Sequence, residues 1–239
     1  MSEEDDLGSI IFGWVGTAIS FVFYIAPVVP YLKLIKGEIT LKESPGLLLF
    51  CSFLNCILWS DYGLLTNKFS VYFANGIGGA ITLIFLTIFL IHLAERKILY
   101  SLLYLFFFIA CVVEIYFLCY YIVSPDITAI LANIFNVLMY AAPGEKIYTI
   151  CKNGNYKLIP IWSTLGGLAC STSWMVYGIY KDDKYLIIPN ALGCASALVQ
   201  LIVFIVYRKK YFNKMNNKKN EENGENEENK MISGRESSE

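Results

Sequence analysis

Charged residues cut this chain into long apolar runs. Residues 7–32, 44–60, 69–94, 98–113 with 115–125, 127–144, 158–180 and 185–207 carry no Asp, Glu, Lys or Arg, Glu114 dividing one run. An α-helix rising ~1.5 Å per residue needs about 20 such residues to cross a bilayer. The pattern therefore predicts an all-α membrane protein with seven transmembrane helices. A surface helix of a soluble protein would show a polar face every three or four residues, and a transmembrane β-strand would alternate over about ten. Neither pattern is present.

Inside the apolar background the sparse polar and aromatic positions repeat. Trp59, Tyr62, Gly63, Asn75 and Gly78 recur as Trp174, Tyr177, Gly178, Asn190 and Gly193, each 115 residues later. Repetition of Trp, Asn and two Gly in register indicates duplication of a whole structural unit. A three-helix unit crosses the membrane an odd number of times, so a second copy joined directly to the first would insert upside down. One extra helix restores its direction. The resulting plan is 3+1+3: a first repeat over 1–95, a linker helix over 96–125 and a second repeat over 126–211, related by an axis along the membrane normal. From Asn213 onward Asn, Lys, Glu, Gly and Ser dominate. Such a segment buries too little apolar surface to offset the entropy of ordering, so 212–239 is expected as a disordered tail.

Composition and charge add orientation. The chain of 239 residues is 56% hydrophobic and 16% charged, with a mean hydropathy of +0.52. Lys33, Lys36, Lys42, Arg96, Lys97, Lys146, Lys152, Lys157 and Arg208 to Lys210 fall on one side of the expected membrane, against Lys68, Lys181 and Lys184 on the other. The positive-inside rule then places the N-terminus outside and the C-terminus in the cytosol. The first run follows acids rather than the basic stretch of a secretory signal, so it reads as helix 1. The expected location is the plasma membrane, with an internal membrane as the alternative. Seven cysteines without a CxxC pair support neither a disulfide framework nor a metal site, and no cofactor is expected.

The duplicated residues also carry the candidate chemistry. Trp59 and Asn75 each lie about eight residues from a turn near Asn67, and Trp174 and Asn190 stand likewise about Asp182. At ~1.5 Å per residue all four fall about 12 Å deep. One Asn in a membrane helix is often interhelical glue worth ~0.6 kcal/mol, and one Trp a belt residue. Four at a common depth form instead a candidate substrate pocket. A sugar fits such a pocket, since its hydroxyls pair with an amide that donates and accepts while its C–H face covers an indole. Pro27 and Pro143, 116 apart, and Pro45 and Pro160, 115 apart, lie toward the cytosol and are expected to kink helices at an inner gate. On the outer side Tyr62 and Asp183 are a candidate latch, with Asp182 an equal choice on local grounds. Glu114 is expected at a helix or subunit contact and His92 at the interface. No His pair with metal spacing, GxSxG or phosphate loop is present, which argues against an enzyme.

The segments LNCILWSDYGLL at 54–65, STSWMVYGIY at 171–180 and IIPNALGCASALVQLIVFIVYR at 187–208 resemble the SWEET sugar transporters, or MtN3/saliva family, and the likeness spans residues 10 to 211. It implies a uniporter moving mono- or disaccharides down their gradient by alternating access, as a homo-oligomer in a lipid bilayer, with no nucleic-acid partner. It also implies that Asn75 and Asn190 hydrogen-bond the sugar, Trp59 and Trp174 line its pocket, and Tyr62 with Asp183 form the outer gate. Pro27, Pro143 and Pro160 would belong to the cytosolic proline set, with Gln200 near the same gate. The family's helix 2 proline falls where this chain has Leu48, three residues after Pro45. The rival readings are a proton-coupled amino-acid transporter of the PQ-loop type and a seven-helix receptor. The first lacks its Pro-Gln pairs here, since Pro27 precedes Val28 and Pro143 precedes Gly144. The duplication argues against the second.

Overall fold

The structure of the protein is a computed structural model that describes residues 6–39, 46–121, 124–139 and 141–236. Pro45 lies outside these, as do the side chains of Glu114 and Pro143. The described elements are helical, as the uninterrupted apolar runs predict: α1 (Leu7–Ile25), α2 (Val28–Ile35), α3 (Gly46–Leu65), α4 (Phe69–Tyr121), α5 (Pro125–Met139), α6 (Ala141–Asn153), a 3-10 turn (Tyr156–Leu158), α7 (Ile161–Tyr180) and α8 (Lys184–Glu236). In apolar surroundings a helix satisfies its backbone internally, which sheet edges and open loops cannot do.

Among the described residues four helical stretches are long and apolar enough to cross a membrane: Leu7–Ile35, Leu48–Leu65, Phe69–Glu95 and Lys184–Asn217. Lys97–Phe106 and Pro125–Met139 are shorter apolar helices. At 20 residues α7 is long enough, but its Ser, Thr and Gly dilute its apolarity. The 53-residue α4 is two helices in series, because Lys97 leaves helical geometry at φ −150°, ψ 70°. That break falls between the third and fourth apolar runs. The first run likewise divides at Ala26 and Pro27 into α1 and α2.

Packing reproduces the duplication. α1 contacts α4 as α5 contacts α8, and α3 pairs with α4 as α7 pairs with α8. Between the halves α1 lies on α7 and α3 on α5, the same contact made twice. Missing side chains permit these approaches. A Cβ on Gly16 would stand 2.9 Å from the Trp174 ring, and one on Gly63 would stand 2.5 Å from the Tyr72 backbone nitrogen. The buried centre holds Trp59, Tyr62, Val71, Ala74, Trp174, Tyr177 and Leu186.

The helix α8 runs on to Glu236, into the 212–239 segment for which composition predicts disorder. Extending a helix already nucleated by an apolar span adds one hydrogen bond per residue without a new nucleus, and the Glu and Lys of this segment are good helix formers.

Candidate functional site

Two equivalent turns set the geometry at one end of the bundle. Asn67 (φ 54°) and Asp182 (φ 46°), 115 apart, both take the left-handed conformation that ends a helix. The bond from the N–H of Lys68 to the carbonyl of Gly63 and the one from Asp183 to Gly178 are each 2.8 Å long. These turns aim the residue after them inward. Asp183 is buried, whereas Asp182 is exposed at the turn, which decides between the two acids.

The Asp183 carboxylate divides its work between its oxygens. Oδ1 caps α8, accepting from the N–H groups of Tyr185 at 2.9 Å and Leu186 at 3.4 Å. Oδ2 accepts from the Tyr62 hydroxyl at 2.6 Å and pairs with Lys68 Nζ at 3.1 Å. Both latter partners come from the first half, so this end is tied across the pseudo-twofold axis. Lys68 and Asp183 occupy equivalent positions, 115 apart, with opposite charge. A charge-assisted hydrogen bond contributes about 1.5–3 kcal/mol, strong enough to hold and weak enough to release. Lys68 is the member that sequence reasoning missed, although the sign reversal at a repeated position was its signal.

Beneath this cluster the halves enclose a cavity of about 150 Å³. All four residues singled out by the repeat, Trp59, Asn75, Trp174 and Asn190, line it. Each Asn donates from Nδ2 to the carbonyl four residues earlier, Asn75 to Val71 and Asn190 to Leu186, both at 2.8 Å. That bond fixes the amide and leaves its oxygen directed away from its own helix. Asn75 Oδ1 accepts from the Tyr24 hydroxyl at 3.2 Å. Each Trp stands edge-on to the Tyr three residues later, with ring centroids 5.4 Å apart for Trp59–Tyr62 and 5.6 Å for Trp174–Tyr177. The Trp174 indole N–H donates to Ser20 Oγ at 3.1 Å.

The rest of the lining follows the same rule. Ser20 pairs with Asn136 at an offset of 116, and Asn55 with Cys170 and Val71 with Leu186 at 115, while Tyr24 has its counterpart at position 140, outside the described residues. Sequence reasoning missed these because the paired residues differ in type. Applying the repeat offset to positions instead of identities would have found them. Asn55 also braces the interface, donating from Nδ2 to the Ala132 carbonyl at 2.8 Å.

At the opposite end the expected prolines act mostly at helix boundaries. Pro27 stands at the junction of α1 and α2, and Pro143 lies in the first turn of α6. Pro160 stands at the N-cap of α7, the helix start near which the sequence places it. Proline is at ease there because the N–H it lacks has no helical partner in the first turn. Gln200 bridges α7 and α8: its Oε1 accepts from Thr164 Oγ1 at 3.4 Å and its Nε2 donates to the Ser196 carbonyl at 3.4 Å. Pro189, next to Asn190, lies inside α8 beyond its first turn. Having no N–H, it frees the Tyr185 carbonyl, which accepts from Asn133 Nδ2 at 3.3 Å.

Comparison with known proteins places this arrangement. The family described as "Sugar efflux transporter for intercellular exchange" matches residues 10–98 and 126–211, one segment in each half. The chain is 32% identical over 207 residues to the bidirectional sugar transporter SWEET5 of Arabidopsis thaliana, covering 83% of this chain and 86% of that one. To the bidirectional sugar transporter SWEET1a of Sorghum bicolor it is 30% identical over 213 residues, 86% of this chain and 79% of the relative. In fold it is similar to a solved eukaryotic SWEET transporter, with a TM-score of 0.77 at 18% identity over 85% of this chain and 98% of that one.

Proposed function

The chain belongs to the MtN3/saliva (SWEET) family of sugar efflux transporters, and from that premise we propose that it is a facilitative, bidirectional sugar uniporter working by alternating access. The observation that carries this reading is the cavity where two Asn and two Trp from duplicated positions converge on one axis. A ligand there meets amides that hydrogen-bond hydroxyls and indoles that cover an apolar ring face. A site symmetric about that axis can be offered to either side by rocking two similar halves, and no energy source beyond the substrate gradient is needed.

In this proposal the membrane layout is 3+1+3. The first repeat is α1 to the Lys97 break, the linker is the remainder of α4, and the second repeat is α5 to α8. The Asn67 and Asp182 turns face outside and the C-terminus faces the cytosol, in accord with the distribution of Lys and Arg. The Tyr62–Asp183–Lys68 cluster is then a closed outer gate, and the inner gate lies among Pro27, Pro143, Pro160 and Gln200. A cavity of about 150 Å³ is below the ~300–1,000 Å³ of sites for drug-sized ligands, which favours a monosaccharide over a disaccharide.

Uptake of radiolabelled glucose and sucrose into proteoliposomes tests the reading. Wild type is expected to carry glucose in preference to sucrose. Asn190→Ala removes one of two amide anchors at ~1.5 kcal/mol or more and should lower glucose flux at least about tenfold with the fold intact. Unchanged flux in that variant would overturn the site.

A further inference from the structure

The duplication makes each half a control for the other, and along one seam they differ in bulk. In the first half the seam between α1 and α4 carries a row of the chain's own rings, which leave a smaller cavity of about 280 Å³ at its Asn67 end, between Ser9, Trp14, Phe69 and Tyr177. Trp14 lies 6.0 Å from Phe69 and 5.8 Å from Phe73, Phe69 and Phe73 stack at 5.4 Å, and Phe21 closes the row 6.2 Å from Phe73. The equivalent positions in the second half are Ile130, Lys184, Ile188 and Val137. No ring replaces any of the four, and the seam between α5 and α8 is an apolar groove of about 460 Å³.

We propose that this groove is a phospholipid site, with one acyl chain taking the place of the missing rings and the phosphate resting on Lys184. Apart from Asn133, Lys184 and Tyr185 the lining is aliphatic, and it faces outward, with Ile130, Val137 and Ile188 each at least half exposed. At roughly 30 Å³ for a water-sized unit the volume holds about fifteen methylene-sized groups, the scale of an acyl chain. Lys184 supplies the only charge among the lining residues. The ammonium lies 5.0 Å over the Tyr185 ring, and its neighbour Asp183 is already paired with Lys68 at 3.1 Å, so the positive charge at the rim is open to an anion. A headgroup phosphate there and a chain along α8 match the polarity of the groove from end to end.

Native mass spectrometry of the purified full-length protein, titrated with a defined phosphatidylglycerol, tests this. Wild type is expected to retain one lipid bound at least severalfold more tightly than the rest. Ile188→Phe restores a ring of the first half and should abolish that binding. Lys184→Gln, which leaves the packing untouched, should weaken it severalfold and covers the case in which the ring variant folds poorly. Retention of the tight lipid in both variants overturns the proposal. So does efficient Ile134→Cys disulfide dimerisation in native membranes, which would give the groove to a second copy of the chain.

Discussion

Single residues decide how firmly the Tyr62–Asp183–Lys68 end of the bundle is held. Asp183→Asn keeps a cap for α8 and an acceptor for Tyr62, yet removes the partner of Lys68 and the charge that strengthens the Tyr62 bond. The latch should open more often. Cys170 lines the cavity and reports on this: a membrane-impermeant maleimide added outside should modify it severalfold faster in Asp183→Asn, read by peptide mass spectrometry. Equal rates would mean that the ion pair does not gate access. The sequence carried Tyr62 and Asp183 into view through the repeat and the resemblance. It left Asp182 as an alternative because a choice between adjacent acids depends on which one follows the left-handed turn residue.

At the scale of elements, Pro189 and Asn133 show a helix defect and its repair. Asn133→Ala strands the Tyr185 carbonyl in apolar surroundings, a loss of about 1–3 kcal/mol that should lower the thermal midpoint in detergent. In a Pro189→Ala background the new N–H can bond that carbonyl, so Asn133→Ala should cost clearly less. A double-mutant cycle measures the difference, and equal costs in both backgrounds would assign Asn133 another role. α8 beyond the apolar span makes the complementary case. The side chains of residues 211–217 are exposed, so a chain ending at Phe212 should transport sugar at the wild-type rate and melt at the same temperature. A large fall in either would show that the segment packs on the bundle.

For the whole molecule, a uniporter draws its free energy from the sugar gradient alone. Glucose entry into proteoliposomes should be the same with and without a protonophore and should run in either direction with the gradient. A requirement for an imposed proton gradient would favour the PQ-loop type of transporter. The two halves share one axis, so Asn75→Ala and Asn190→Ala should impair flux to a similar extent. A wide difference would mean that the halves no longer share the substrate equally.

Much of this architecture was legible in the sequence. Continuous apolar runs admit helices and little else, because backbone groups in lipid must be satisfied internally. A duplicated set of Trp, Asn and Gly fixed a symmetry relation, and the rise of a helix placed its members at one depth. What the sequence left open is whatever depends on which surfaces meet. That a Lys and an Asp at equivalent positions pair across the axis, and that Asn55 and Cys170 complete the lining, both follow from side-chain direction and contact between helices distant in the chain. Local pattern sets the period, the length and the sequence offset of these elements, while only their packing selects the faces and partners.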